Sequence, residues 1–203
     1  QYYWCNGLIT PIRNEKGQLT HFLAIQEDIT EKMQSEERVK YLASYDELTG
    51  IRNRTCFMEQ LNEWLSHNKA YNQTGVLLLM DIDGFRLIND TYGHSTGDNI
   101  LHRVAEFLIT TLFEIDKHYV NKDVVESILG RLGGDEFAIF LPARDEKEGI
   151  ATAEEISKRL EKSRFVEIPG HLTASIGVAL YPRDGSTTKE LLTRADASIY
   201  HAK

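Results

Sequence analysis

Only two of the 203 residues are cysteine, Cys5 and Cys56. That is too few for a disulfide framework, and it points to a reducing compartment. No apolar run approaches the ~20 residues needed to cross a bilayer, so no membrane contact is expected from this stretch. No secretory leader opens the chain, and position 1 is Gln rather than Met. A piece of a longer protein is therefore expected. Positive charge is in short supply as well. Lys and Arg number 23 against 31 Asp and Glu, a formal net charge of −8. An acidic chain is a poor general binder of nucleic acid polymers or anionic membranes, both of which need a basic patch. Repeats and low-complexity segments are missing too. What remains is ordinary globular composition, 41% hydrophobic and 27% charged, which excludes a disordered chain. At about 150 residues per domain, the length allows one domain with a large appendage, or two small ones.

Residues 1–29 read as extended structure. QYYWCNGLITPI is rich in aromatic and β-branched residues, Asn14 to Gly17 supply turn chemistry, and LTHFLAIQEDI resumes the strand pattern. A lone hairpin is marginal in water, so this one is expected to be the tail of a larger domain. Residues 30–44, TEKMQSEERVKYLAS, carry many charges and neither Gly nor Pro. They predict a helix, with Thr30 placed to cap it and Met33, Val39 and Leu42 as an imperfect stripe. A solvated linker and a short dimeric coiled coil both fit that pattern.

Residues 45–203 are more regular. The patterns predict a helix over 54–68, a buried strand over 75–81 (GVLLLMD), a short helix, and a longer helix over 98–113. They continue with a strand, a Gly-Gly turn and a strand over 126–142, a helix over 145–162, a strand over 172–182 and a helix over 188–203. That order implies an α+β fold, with helices packed on a mostly antiparallel sheet.

Two segments carry chemistry. In MDIDGFRLINDTYGHSTGDNIL (80–101), Asp81 closes an apolar strand and Asp83 follows it, before a turn at Gly84. A buried carboxylate is costly unless compensated, and a hard cation such as Mg²⁺ takes one or two such carboxylates, leaving its other positions to water and phosphates. The amides around Gly84 and Phe85 suit an anion-binding concavity. The plainer alternative makes Asp83 a cap for a short helix over 85–90. In RLGGDEF (131–137), two glycines specify a hairpin turn, and a plain hairpin does not require Asp135 and Glu136 beside it. If this hairpin pairs beside the 75–81 strand, Asp81 and Asp135 can share a metal, as in nucleotidyl-transfer palms. Arg131 is placed either to reach phosphate or to pair with a carboxylate.

GGDEF at 133–137 resembles the signature of GGDEF domains, the diguanylate cyclases. DELTGIRNR (46–54) resembles the family's DxLTGLxNR, with Ile51 in place of Leu. DIDGFRLINDTYGHSTGD (81–98) resembles its DxDxFKxINDxxGHxxGD, with Arg86 in place of Lys. ASIGVA (174–179) and RADASIYHAK (194–203) resemble the later strand and terminal helix. The resemblance spans residues 45–203. It implies a nucleotidyl-cyclase, palm-like fold that condenses two GTP into cyclic di-GMP with release of two pyrophosphates. Two facing domains of a homodimer would each hold one GTP, with Mg²⁺ or Mn²⁺.

Carried over by position, Asp81, Asp135 and the Ile82 carbonyl would ligate metal. Glu136 would serve the second metal or activate the 3′-hydroxyl. Asn89 and Asp98 would recognise guanine, and Gly84, Phe85 and Lys203 would meet phosphates, with a partner Arg expected just past Lys203. His94 would order its loop rather than catalyse. Many family members carry an RxxD product-inhibition motif whose two positions here are Val124 and Ser127, so that site is expected to be absent. Residues 17–37 resemble the closing strands of a PAS domain and its DIT-E linker, which implies an upstream sensor. The resemblance also implies a cytoplasmic domain, in a protein able to be anchored through other parts. Two functions fit: an active cyclase, or a silent GTP-binding domain regulating an attached EAL phosphodiesterase. A scaffold that keeps only the fold would be expected to have lost Asp81, Asp135 or Glu136, and all three stand.

Overall fold

The computed structural model describes residues 3–69, 73–117 and 126–202. Val124 and Lys203 lie outside them. The chain divides into two compact units, residues 1–43 and 44–203.

In the first unit, β1 (Cys5–Arg13) pairs antiparallel with β2 (Leu19–Asp28). Asn14 shapes the turn, its Oδ1 accepting from the Lys16 and Gln18 amides. Every residue of both strands is exposed, Ile9 at 67% and Phe22 at 65% among them. α1 (Thr30–Ser44) follows and buries none of its residues. The expectation that Thr30 caps this helix is corrected. Its hydroxyl accepts from the Trp4 amide in the hairpin, while Asp28 Oδ1 takes the Thr30 amide. Hydrogen bonding from the Thr30 side chain and then from its amide holds the Asp28 carboxyl below its ordinary range.

The second unit runs α2 (Arg54–Asn68), β3 (Gly75–Ile82), α3 (Phe85–Tyr92), α4 (His94–Lys117), β4 (Ile128–Gly133), β5 (Glu136–Pro142), α5 (Glu146–Lys162), β6 (Ala174–Tyr181) and α6 (Thr188–Ala202). This is the element order that the patterning predicts. The sheet order is β4-β5-β3-β6, antiparallel throughout. β3 is central, which explains its unbroken apolar run: alternate residues face opposite sides, and helices cover both. Val76, Leu78, Met80 and Ile82 join a core with residues of α4 and α5. Leu77 and Leu79 join a second core with α2 and α6. Gly177 lets α6 close on β6, because a Cβ there would overlap the Ala195 carbonyl.

The two ends of α4 differ most from expectation. α4 begins at His94, four residues before the predicted start at Asp98, and extends past 113 to Lys117. Gly93, with φ 87°, breaks α3 from α4, and the Thr96 hydroxyl bonds the Tyr92 carbonyl across the break. His94 is thus the exposed first residue of a helix and not part of a loop. Among the described residues no helix is long and apolar enough to cross a membrane.

Candidate active site

The register of the sheet assembles the acidic groups. Asp81, one residue before the end of β3, lies opposite Glu136 on β5 and opposite Ser175 on β6. Residues opposite one another share a sheet face, so Glu136, Asp81 and Ser175 form a row across three strands. Leu77 and Leu79, of the same parity as Asp81, belong to the core beneath α2 and α6. The row therefore sits at one end of the α2/α6 face. Gly133 (φ 143°) and Gly134 (φ 53°) turn the chain between β4 and β5, in backbone conformations that favour glycine, and set Asp135 immediately before Glu136. Asp81, Asp135 and Glu136 are all half-buried.

Burial pushes the Glu136 carboxyl up, and repulsion from Asp81, Asp135 and Asp196 adds to this, with Arg54 opposing. Arg54 opens α2 and Asp196 lies on α6, the two helices that cover this face. The sequence reading did not single out either residue. A hard-oxygen donor set whose members repel one another suits a divalent cation. Asp81, Asp135, Glu136 and the Ile82 carbonyl fit Mg²⁺ or Mn²⁺ in that sense. Among the described residues no group of three or more His, Cys, Asp and Glu side chains has ready ligand spacing. A Mg²⁺ site with two carboxylates and water does not need one.

One stability prediction follows from the sign of this shift. With its folded value above the ordinary 4.5, ionised Glu136 destabilises the fold at neutral pH, and the penalty disappears below 4.5. Glu136→Gln is expected to raise the melting temperature at pH 7, with the gain vanishing in acid. Thermal unfolding at both pH values checks it, and a variant less stable at pH 7 would contradict it.

The neighbouring helices hold the next group. Gly84 (φ 68°) turns the chain from β3 into α3, and Phe85 buries its ring in the core. Asn89 on α3 faces α4 at Gly97. A Cβ on Gly97 would overlap the Asn89 carboxamide oxygen and come within 3.1 Å of Phe85 Cζ. That Asn89 oxygen is buried without a hydrogen-bond partner. Asp98, the residue after Gly97, is exposed on α4.

The alternative for Asp83 is corrected, since it caps no helix. The N-cap of α3 is Gly84, with no side-chain cap bond. The Asp83 carboxylate instead accepts from Thr173 Oγ1 at 2.8 Å and Ser175 Oγ at 2.7 Å. Arg131 takes the carboxylate option. Its Nη1 lies 2.9 Å from Asp46 Oδ1, and Nε and Nη2 donate to the Gly134 carbonyl. Asp46 also accepts from the Thr49 amide and hydroxyl. Burial pushes the Asp46 carboxyl up, but the bonds from Thr49 and Arg131 outweigh it and leave it below its ordinary range. Ser127, the second position of the missing RxxD motif, donates its amide and hydroxyl to Asp116, which is also ion-paired with buried Arg144.

Residues 43–203 match the family model described as "Diguanylate cyclase, GGDEF domain". The chain is 38% identical over 165 residues to a bifunctional diguanylate cyclase/cyclic di-GMP phosphodiesterase, MucR of Pseudomonas aeruginosa, covering 80% of this chain and 22% of MucR. It is 33% identical over 177 residues to the cyclic di-GMP phosphodiesterase PdeR of Escherichia coli K12, covering 87% of this chain and 25% of PdeR. The chain thus spans about a quarter of the length of these relatives. Among solved structures, the coiled coil and GGDEF domain of DgcB from Caulobacter crescentus, in complex with c-di-GMP, aligns with a TM-score of 0.70. That alignment has 27% identity over 85% of this chain and 87% of DgcB's.

Proposed function

The chain belongs to the GGDEF domain family, and on that premise we propose that residues 44–203 bind GTP and condense two molecules into cyclic di-GMP. The observation that carries the reading is the row of Glu136 and Asp81 across β5 and β3, with Asp135 beside it at the Gly-Gly turn. Asp81, Asp135, Glu136 and the Ile82 carbonyl would hold Mg²⁺ or Mn²⁺. Bound there, the cation neutralises triphosphate charge and polarises the phosphoryl oxygens.

The other steps belong to this chain's residues. The amides at Gly84 and Phe85, at the N-terminus of α3, bind phosphate oxygens. Lys203 adds a positive charge to the phosphates. The Asn89 carboxamide donates to a ring acceptor of guanine, and the Asp98 carboxylate accepts from the N1–H and 2-amino edge. Glu136 serves either as a carboxylate ligand of the cation or as the group that receives the proton of the attacking 3′-hydroxyl. That hydroxyl attacks the α-phosphate of the GTP held by a second copy. A P–O bond forms and pyrophosphate leaves. The second, reciprocal attack closes the ring.

The exposed hairpin is assigned to the end of a PAS sensor, and α1 to the link that pairs two copies. A second reading has one specific support, the similarity to PdeR, a phosphodiesterase of which this chain spans 25%. There the domain would bind GTP silently and regulate an attached EAL domain. Rate against protein concentration tests the proposal. Cyclic di-GMP formation rising more steeply than first order is the expected result. Bound but unconverted GTP at every concentration would favour the second reading.

A further inference from the structure

Only Asp83 and Gly84 separate β3 from α3. The Ile82 carbonyl precedes them and the Phe85 amide follows. These are the backbone atoms that the functional reading assigns to cation and phosphate, and neither can be adjusted by choosing a rotamer. Their placement depends on what holds the loop.

Asp83 holds it. Its amide donates to the Thr173 carbonyl at 3.0 Å. Its Oδ2 accepts from Thr173 Oγ1 at 2.8 Å, and its Oδ1 from Ser175 Oγ at 2.7 Å. Three bonds thus tie one residue to the start of β6, ninety residues along the chain. Hydrogen bonds to a charged acceptor are among the stronger kind. The donors are arranged by the sheet: Thr173 and Ser175 are two residues apart, and Ser175 is the register partner of Asp81. The tie therefore runs along the same end of the sheet as the acidic row.

A carboxylate just before a helix commonly takes that helix's first amides. Asp83 does not, and no side chain caps α3. Its carboxylate is spent on β6, and the first-turn amides of α3 are left to another acceptor. The turn also needs Gly84 at φ 68°, a backbone state that an unrestrained loop would share with others. Fixing that state before the ligand arrives removes an ordering cost from binding.

We infer that Asp83, held by Thr173 and Ser175, is a positioning residue for the triphosphate: it fixes the Ile82 carbonyl and the Gly84 and Phe85 amides in the arrangement that receives phosphate and its cation. The inference rests on the GTP reading above and deepens it. Its signature is selective. The clamp acts on the phosphate end of the nucleotide, whereas Asn89 and Asp98 act on the base.

The test is calorimetric binding of a non-hydrolysable GTP analogue and of guanosine to the full-length protein in Mg²⁺, with thermal unfolding of the same samples. Asp83→Ala is expected to weaken the analogue by about tenfold or more and to leave guanosine unchanged. Ser175→Ala combined with Thr173→Val should do the same. Asp83→Asn should stay within about threefold of wild type, because its oxygen still accepts from Ser175 and its amide can donate to the Thr173 hydroxyl. If Asp83→Ala fails to fold, the double hydroxyl variant carries the test. A folded Asp83→Ala or double variant that binds the analogue as wild type does would overturn the inference alone. Equal loss of analogue and guanosine would also overturn it, since that marks general damage. Wild type that binds guanosine but gains nothing from the triphosphate would overturn the GTP reading, and the clamp's role with it.

Discussion

Alanine at position 97 is expected to cost about tenfold or more in guanine nucleotide affinity while leaving the fold nearly as stable as before. Gly97 lies within α4, where alanine is the better helix former by roughly 1 kcal/mol. Helix propensity alone would call the change favourable. The space is the obstacle, because the new Cβ would overlap the Asn89 oxygen, and Asn89 must swing away from α4. That oxygen has no partner within the protein, so moving it breaks no internal bond. What is lost is the placement of the carboxamide that the functional reading sets against guanine. Titration with GTP and with ATP reads the effect as reduced discrimination between them. Asn89→Ala combined with Gly97→Ala should be no worse than either alone, because both act through one contact. Full guanine preference in a folded Gly97→Ala protein would remove Asn89 from base recognition.

Arg131→Ala is expected to destabilise residues 44–203 by roughly 2–4 kcal/mol, near the range for breaking a largely buried ion pair. Arg131 is 12% and Asp46 25% exposed at the side chain. The substitution removes the bonds to Asp46 and those to the Gly134 carbonyl together. The main-chain bond from the Arg131 amide to the Arg52 carbonyl is kept, so the loss is that of the side-chain bonds alone. The pH dependence has a definite sign. Asp46 lies below its ordinary value of 3.8 in the fold, so its contribution is complete above 3.8 and fades as pH falls through the lowered value. Denaturant unfolding at neutral pH should therefore show the full loss, and the gap between wild type and variant should narrow in strong acid. An undiminished gap there would assign the loss to packing rather than to the pair.

The same residues explain which features could be read from the sequence. β3 was legible because a central strand covered on both faces has no polar residue until Asp81. The order of elements followed from such runs and from helical spacing. The start of α4 was not legible, because HSTG, with its glycine, reads as loop. Glycine stands at position 97 within the helix because a Cβ there would overlap Asn89, a tertiary reason that no local rule contains. Asp83 invited a capping assignment for the same cause: its partners lie on a strand ninety residues away. Arg131 left two options because Asp46 is 85 residues distant in sequence. The acidic row was legible in part. The hairpin reading suggested Asp81 and Asp135 together and the resemblance named Glu136, while the register set Glu136 opposite Asp81 and added Ser175, and the helices above added Arg54 and Asp196.

The proposed cyclase chemistry on GTP rests on the row of Asp81 and Glu136. The most direct measurement is chromatography of the products when the full-length protein meets GTP and Mg²⁺, for wild type and Glu136→Gln. The predicted result is cyclic di-GMP and pyrophosphate from wild type, and none from a Glu136→Gln variant that still binds GTP and melts no lower at pH 7. Cyclic di-GMP formed equally by both would contradict the assignment of Glu136, and GTP left intact by both would contradict the cyclase.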